Sequence, residues 1–166
     1  VMKIVCIGGG PGGLYFAISM KLRNPEYEIT IVEQNNPRDT FGWGIVFSDQ
    51  TLENLQANDP ESAETIRKSF AYWDDIDVHI HGKVIRSGGH GFIGIGRLRL
   101  LTILQERAEE LGIKQVFEAH VETSEPYAEF DLIVVSDGIN SKIRTQHATY
   151  FQPDIDPPWT KFIWPA

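Results

Sequence analysis

The distribution of apolar positions along the chain predicts alternating strands and helices. An apolar run at residues 3–7 stops at a glycine cluster, as expected for a parallel strand that is buried on both faces. Apolar residues then recur at helical spacing from Leu14 to Leu22, and a second strand-like run extends from Glu28 to Glu33. A strand, a glycine-rich turn, a helix and a strand within about 30 residues predict a βαβ unit.

After residue 35 the pattern predicts an interruption and then a return to helices and strands. The predicted elements are a turn-rich stretch (35–49), a mostly helical stretch broken at Asp59-Pro60 (51–70), two extended pieces around Gly82 (75–86), an amphipathic helix capped by Gly112 (97–111) and two strands (114–117 and 131–135). We therefore expect an α/β fold, a doubly wound parallel sheet over residues 1–152 with a small irregular insertion at about 49–96. Residues 153–166 are expected to begin a truncated further domain or to form a tail.

The glycine cluster has the spacing of a dinucleotide-binding loop in a Rossmann-like fold. Gly8, Gly10 and Gly13 form G-x-G-x-x-G directly between the first strand and the first helix. The first glycine permits a tight turn, the second lets the backbone approach a pyrophosphate, and the third lets the helix pack close to the sheet. Unpaired N–H groups and the helix dipole favour phosphate there. Pro11, between the second and third glycines, belongs to the same candidate loop.

Glu33 is the candidate partner of this loop. It ends the second strand about twenty residues after Gly13, where a carboxylate can accept hydrogen bonds from adenosine ribose hydroxyls. Since a carboxylate would repel a 2′-phosphate, the tightly held nucleotide is expected to lack one. A glycine-rich turn without a ligand is the alternative, and the joint context disfavours it.

Charge and cysteine content restrict the classes of partner and site. With 15 basic and 23 acidic residues the net charge is −8, and no basic run supplies the footprint of a nucleic-acid or anionic-membrane binder. Cys6 is the single cysteine, which excludes an internal disulfide and a cysteine-rich zinc site and fits a reducing, cytoplasmic compartment. His79 and His81 could share one face of a strand, but without a third ligand nearby we predict no metal site.

Two further groups of residues are expected at the same edge of the sheet. The strand at 131–135 runs into Asp137-Gly138, which alone would be an ordinary turn, but the strand end delivers it to the edge that holds the glycine loop. Arg97 opens the predicted helix, where the helix dipole disfavours a cation. The alternative is that Arg97 is simply a solvated residue at the start of a helix. The unfavourable placement of a cation at this helix end favours a functional role for Arg97. Arg99 is predicted to be a surface residue.

These motifs carry a resemblance to a known family. The segments at 41–49, 91–97 and 131–144 together resemble the amino-terminal half of FAD-dependent aromatic hydroxylases, in particular those that act on CoA thioesters. In such flavoprotein monooxygenases the aspartate-glycine turn lies beside the flavin nucleotide, and an arginine that matches Arg97 faces the flavin diphosphate or ribityl chain. The resemblance implies FAD as the cofactor. It implies these cofactor-binding residues: Gly8, Gly10, Pro11, Gly13, Glu33, Arg97, Asp137 and Gly138.

The resemblance also implies an activity and its limits. NAD(P)H would reduce the flavin, and one oxygen atom of O2 would enter a small aromatic substrate or its CoA thioester. A flavoprotein reductase or dehydrogenase without oxygenation and a non-catalytic nucleotide-binding fragment remain open. Because the family's substrate-covering sheet is missing, we expect an incomplete hydroxylase fold that is inactive alone. Four aromatic and apolar residues near the end are expected to meet a missing carboxy-terminal half or a second copy: Trp159, Phe162, Ile163 and Trp164.

Overall fold

The computed structural model describes residues 1–156, so the predicted contact surface at 159–164 lies outside the described residues. The strands are β1 (Lys3–Ile7), β2 (Glu28–Val32), β3 (Gly44–Ser48), β4 (Ala71–Trp73), β5 (Ile76–Ile80), β6 (Lys83–Ser87), β7 (Phe92–Gly96), β8 (Lys114–Val116) and β9 (Leu132–Val135). The helices are α1 (Pro11–Arg23), α2 (Asp49–Asn58), α3 (Pro60–Arg67), α4 (Arg97–Glu110), α5 (Lys142–Gln146) and α6 (Ala148–Phe151), and a short 3-10 helix spans Glu125–Tyr127.

A four-stranded parallel sheet in the order β8-β2-β1-β9 forms the centre of the fold. In β1, Ile4 and Cys6 face the core shared with α1 and α4, whereas Val5 and Ile7 face a second core that includes Ile143 of α5. The strand is therefore buried on both faces, which explains its unbroken apolar run. The predicted parallel α/β fold is confirmed.

Cys6 lies in this central strand and is fully buried. Burial raises the pKa of its thiol to about 12, because the apolar surroundings disfavour the thiolate. The side chain therefore acts as a small core residue rather than as a nucleophile.

The insertion forms a hairpin and, together with β3 just before it, a second sheet. Strands β3 and β4 pair antiparallel with β7, and β5 pairs antiparallel with β6. The turn-rich assignment of residues 35–49 is wrong at β3, because that strand is stabilised by pairing with a partner far along the chain. Gly94 of β7 lies beneath the Trp73 ring, where an added Cβ would approach a ring carbon to 2.8 Å. A glycine that would weaken an isolated strand thus permits close packing here.

The hairpin corrects the expectation for the two histidines. His79 lies in β5, but His81 occupies the turn before Gly82 with a φ of +47°. The two side chains therefore do not share one face of a strand. Within residues 1–156, no cluster of three or more potential metal-ligating side chains is present. In the same part of the chain no helix is both long and apolar enough to cross a lipid bilayer.

A buried ion pair holds α3 against α4. Asp59, which is 1% exposed and precedes α3, accepts hydrogen bonds from Arg107 Nε to Oδ2 and from Arg107 Nη2 to Oδ1, both at 3.1 Å. The Ser62 hydroxyl donates to Asp59 Oδ2 at 2.5 Å. Arg107 also pairs with Glu61 and Glu110 on the outer side. The planar guanidinium thus satisfies a carboxylate that would otherwise be buried without a counter-charge.

We expect Arg107→Met to lower the free energy of unfolding by about 3–5 kcal/mol, since it leaves the Asp59 carboxylate buried without its cation. Urea denaturation, monitored by circular dichroism, measures this change in the free energy of unfolding. The matched control is Arg86→Met, which breaks the exposed pair with Asp77 on the hairpin and should leave the midpoint unchanged. Equal losses for the two variants would contradict a structural role specific to the buried pair.

Candidate functional site

A groove of about 420 Å³ lies at the carboxyl ends of β1, β2 and β9. In open parallel sheets this edge is where ligands bind, because loops from neighbouring strands diverge there. Six of the eight residues predicted from the sequence line the groove: Gly8, Gly10, Glu33, Arg97, Asp137 and Gly138. The structure therefore brings together side chains and backbone from four separate segments of the chain.

The glycine turn is built by close backbone contact with the end of β9. Gly8 has a φ of +106°, and a Cβ there would lie 2.3 Å from the Ser136 carbonyl oxygen. A Cβ on Gly13 would lie 2.1 Å from the Gly8 carbonyl oxygen, so the start of α1 can approach β1 only without a side chain. Around Gly10, in contrast, the space within 4 Å of an added Cβ is empty. Gly8 and Gly13 are thus required by packing, whereas Gly10 leaves open space beside the groove.

Ser136 fastens this turn to the sheet. Its N–H donates to the Ile7 carbonyl at 2.7 Å, and its hydroxyl donates to the Gly8 carbonyl at 3.0 Å. Sequence analysis assigned Ser136 no role. Its position directly before Asp137-Gly138 is the sequence feature that could have indicated its place at the groove.

Two helices, α1 and α4, begin at the groove, and no side-chain cap or acidic residue of the first turn offsets the partial positive charge at their N-termini. The N-cap residues, Gly10 for α1 and Gly96 for α4, provide no side-chain cap, and neither helix has an acidic residue in its first turn. The first N–H groups of a helix lack intrahelical partners and carry partial positive charge. This edge of the sheet therefore favours an anionic group, although the chain as a whole has a net charge of −8.

Arg97 adds a full positive charge to the same region. Its N–H donates to the Trp43 carbonyl at 3.0 Å, which links the start of α4 to the segment before β3. Its side-chain Nε is buried, and among the described residues it has no hydrogen-bond partner. A buried donor without an acceptor is costly, and a ligand oxygen in the groove would satisfy it.

Lys142, which also lines the groove, is already paired. Its ammonium contacts Glu122, and this hydrogen bond is the main reason that the pKa of the Glu122 carboxyl is lowered. His120 joins the same cluster through hydrogen-bond distances of 3.1 Å to Gln34 Oε1 and 3.2 Å to Glu122 Oε1. Arg97 is consequently the better candidate for contacting an anion.

Glu33 is held in a defined orientation at the end of β2. Oε2 accepts a hydrogen bond from the Gly9 N–H at 2.6 Å, and Oε1 accepts from the backbone and side chain of Asn35. A Cβ on Gly9 would lie 2.9 Å from Glu33 Cβ. The sequence motif treats position 9 as any residue, yet here the glutamate packs directly on it. Gly9 and Asn35 thus contact Glu33 at the groove, and sequence analysis identified neither.

Of the remaining predicted residues, Asp137 and Gly138 line the groove, whereas Pro11 lies elsewhere. Gly138 has a φ of +88°, and Asp137 lies between the groove and a second cavity of about 340 Å³ beside β9. Pro11 begins α1 and lines a separate apolar cavity of about 570 Å³, so it does not reach the groove. Phe41, which had no assigned role, lines the groove next to Arg97.

Three features of the groove residues suit a bound dinucleotide. The backbone at Gly10 is accessible, Arg97 Nε is an unsatisfied donor, and Glu33 offers carboxylate oxygens at the adjoining strand end. The first two features suit a diphosphate, and the third suits a ribose.

Comparison with known proteins identifies related sequences. No protein-family model matches the chain. It is 45% identical over 163 residues to salicyloyl-CoA 5-hydroxylase of a Streptomyces species, covering 98% of this chain and 32% of that protein. It is 34% identical to protodeoxyviolaceinate monooxygenase of Chromobacterium violaceum, covering 98% and 44% respectively. A 3-hydroxy-4-methyl-anthranilyl-[aryl-carrier protein] 5-monooxygenase of Streptosporangium sibiricum is 29% identical, with 98% and 46% coverage. The chain therefore spans between 32% and 46% of the length of these relatives.

Solved structures share the fold. The tetrameric form of 2-methyl-3-hydroxypyridine-5-carboxylic acid oxygenase superimposes with a TM-score of 0.77 at 23% identity, covering 87% of this chain and 42% of that one. CtdE, determined in complex with FAD, superimposes with a TM-score of 0.69 at 22% identity, covering 88% and 40%. The solved structures show the same fold, and the sequence identity to the hydroxylases above confirms the resemblance found in the motifs: over nearly its whole length the chain is similar to FAD-dependent aromatic hydroxylases.

Proposed function

We propose that this chain is the FAD-binding portion of a flavin-dependent monooxygenase that hydroxylates a small aromatic substrate with NAD(P)H and O2. The observation that carries the proposal is the convergence of the glycine turn, Glu33 and Arg97 on one groove. FAD supplies the redox chemistry when bound, and the protein binds and orients it. Because the chain spans less than half of its relatives, oxygenation is proposed for the whole protein and cofactor binding for these residues.

Different residues of the groove suit different parts of the cofactor. Gly10, the start of α1 and Arg97 would hold the diphosphate, since they present N–H groups and positive charge. Glu33 would accept from the adenosine ribose. Asp137 and Gly138, at the end of β9, would lie beside the flavin nucleotide, as the family resemblance implies. None of these residues is assigned the role of acid, base or nucleophile.

The substrates of two relatives support a proposal for the substrate class. One acts on a salicyloyl-CoA thioester and another on an anthranilyl group carried by a protein, so we propose an aromatic acid bound as a thioester. We further propose residues 1–152 as the FAD-binding domain, with the insertion at about 49–96, and the cytoplasm as its compartment. The single buried cysteine, Cys6, supports a reducing environment. Oxygen-dependent product formation by the whole protein would distinguish this activity from that of a reductase.

The direct test is flavin retention. The purified chain is mixed with FAD and desalted, and its visible absorbance is recorded. Retained flavin bands are expected, because the groove is formed within the described residues. A colourless protein after desalting, with no change in flavin fluorescence on titration, would contradict the proposed cofactor site.

Glu33→Ala should weaken FAD binding by about tenfold to a hundredfold, because a charge-assisted hydrogen bond to the ribose is lost. Fluorescence titration of FAD measures the dissociation constant. Glu28→Ala, an exposed glutamate at the other end of the same strand, is the matched control and should leave the affinity unchanged. Unchanged affinity in Glu33→Ala would remove Glu33 from the site.

Gly10→Ala should preserve the fold and impair FAD binding by at least about tenfold, since the added Cβ meets open space in the free protein but occupies the path of the diphosphate. Gly12→Ala is the control, because an added Cβ there also meets open space but Gly12 does not line the groove. Thermal melting checks folding, and titration checks affinity. If both variants bind FAD like the unaltered chain, the diphosphate does not pass Gly10.

Arg97→Met should weaken FAD binding about tenfold and reduce its dependence on salt, because the methionine keeps the aliphatic part and removes the charge. Arg99→Met provides the comparison from the same helix. Arg99 is exposed and contacts the Ser69 hydroxyl at 3.3 Å, away from the groove. Titrations at low and moderate ionic strength measure both effects. A loss in Arg99→Met as large as in Arg97→Met would indicate a general charge effect.

A further inference from the structure

Asn35 is fixed at the rim of the groove by backbone hydrogen bonds at Asn35 itself and at Glu33. Its carbonyl accepts a hydrogen bond from the Glu118 N–H at 3.2 Å, and the carbonyl of Glu33 accepts from the Ala119 N–H at 3.0 Å. The segment after β2 is therefore tied to the segment after β8. Asn35 itself is half-buried and lines the groove. Its side chain consequently starts from a rigid position.

From this position Asn35 binds one oxygen of the Glu33 carboxylate twice. The Asn35 N–H donates to Glu33 Oε1 at 2.8 Å, and Asn35 Nδ2 donates to the same oxygen at 2.7 Å. The other oxygen, Oε2, accepts from the Gly9 N–H at 2.6 Å. An ionised carboxylate has about four acceptor positions. Three are thus occupied by the protein, and the remaining one is on Oε2.

We infer that Asn35 is a positioning residue for the cofactor, which acts by holding the Glu33 carboxylate so that Oε2 accepts a ribose hydroxyl. The inference rests on the proposed function. A free glutamate side chain has three rotatable bonds, and ordering it on ligand binding costs conformational entropy. Asn35 removes this cost in advance, because Glu33 is already oriented before a ligand arrives.

If Asn35 only stabilised the loop, replacing its side chain would change FAD affinity whether or not Glu33 is present. As a positioning residue, its side chain affects FAD affinity only through the Glu33 carboxylate. Replacing Asn35 by alanine removes the Nδ2 hydrogen bond and retains the backbone one. The expected result is an FAD dissociation constant about threefold to tenfold higher. In a chain that already carries Glu33→Ala, the same replacement should have no further effect, since the group that Asn35 orients is gone.

Two substitutions at the same position separate hydrogen-bond donation from shape. Asn35→Asp keeps the size of the side chain, loses the donor and places a second negative charge beside Glu33, so it should bind FAD more weakly than Asn35→Ala. Asn35→His places a ring N–H the same number of bonds from Cα, so it should restore most of the affinity. The neighbouring Asn36 is exposed and bonds to the backbone of Arg38, so Asn36→Ala serves as the matched control.

The experiment is a fluorescence titration of FAD with the unaltered chain, Asn35→Ala, Glu33→Ala, the double variant, Asn35→Asp, Asn35→His and Asn36→Ala, with thermal melting of each. Loss in Asn35→Ala, its disappearance in the Glu33→Ala chain and recovery in Asn35→His would support the inference. An equal loss with and without Glu33, or no recovery in Asn35→His, would overturn it while leaving the cofactor site intact. No binding by the unaltered chain would overturn the proposed function and this inference together.

Discussion

Backbone contact between the glycine turn and the end of β9 is the constraint on which the rest of the site depends. The Gly8 and Ser136 carbonyl oxygens occupy the space that side chains on Gly13 and Gly8 would need. The end of β1, the start of α1 and the end of β9 can therefore meet directly, and the Ser136 hydroxyl closes this contact with a hydrogen bond. The contact determines where α1 begins and hence where its positive end lies. It also brings Asp137 to the same groove, although Asp137 follows a strand more than a hundred residues later.

Local electrostatics in the groove differ from the charge of the whole chain. The net charge of −8 would by itself repel a diphosphate. Two uncapped helix N-termini and an unsatisfied guanidinium nitrogen on Arg97 provide a positive region within it. The carboxylate of Glu33 is neutralised in part by N–H donors from Gly9 and Asn35. Such short-range arrangements govern binding because distant surface charges are screened by salt.

The insertion contributes to the site indirectly. By pairing with β7, strand β3 brings the carbonyl of Trp43 to the N–H of Arg97, so the second sheet fixes the start of α4. The ion pair between Asp59 and Arg107 then holds α3 against the other end of that helix. The position of Arg97 in the groove thus depends on the second sheet and on α3, both of which lie outside the groove. A helix anchored at both ends can present its first residue with little freedom.

The sequence alone determined the parts of the protein that depend on near neighbours in the chain. The unit β1–α1–β2, the glycine loop and Glu33 follow from apolar periodicity and from spacing within about thirty residues, and the structure confirms the elements. Only the tertiary structure decided the strand at Gly44–Ser48, the role of Gly9 beneath Glu33 and the bonding of Asn35. Each of these depends on a partner brought close by folding. A local pattern of apolar and polar residues does not identify such a partner, because it contains no information on the backbone geometry that places one group against another.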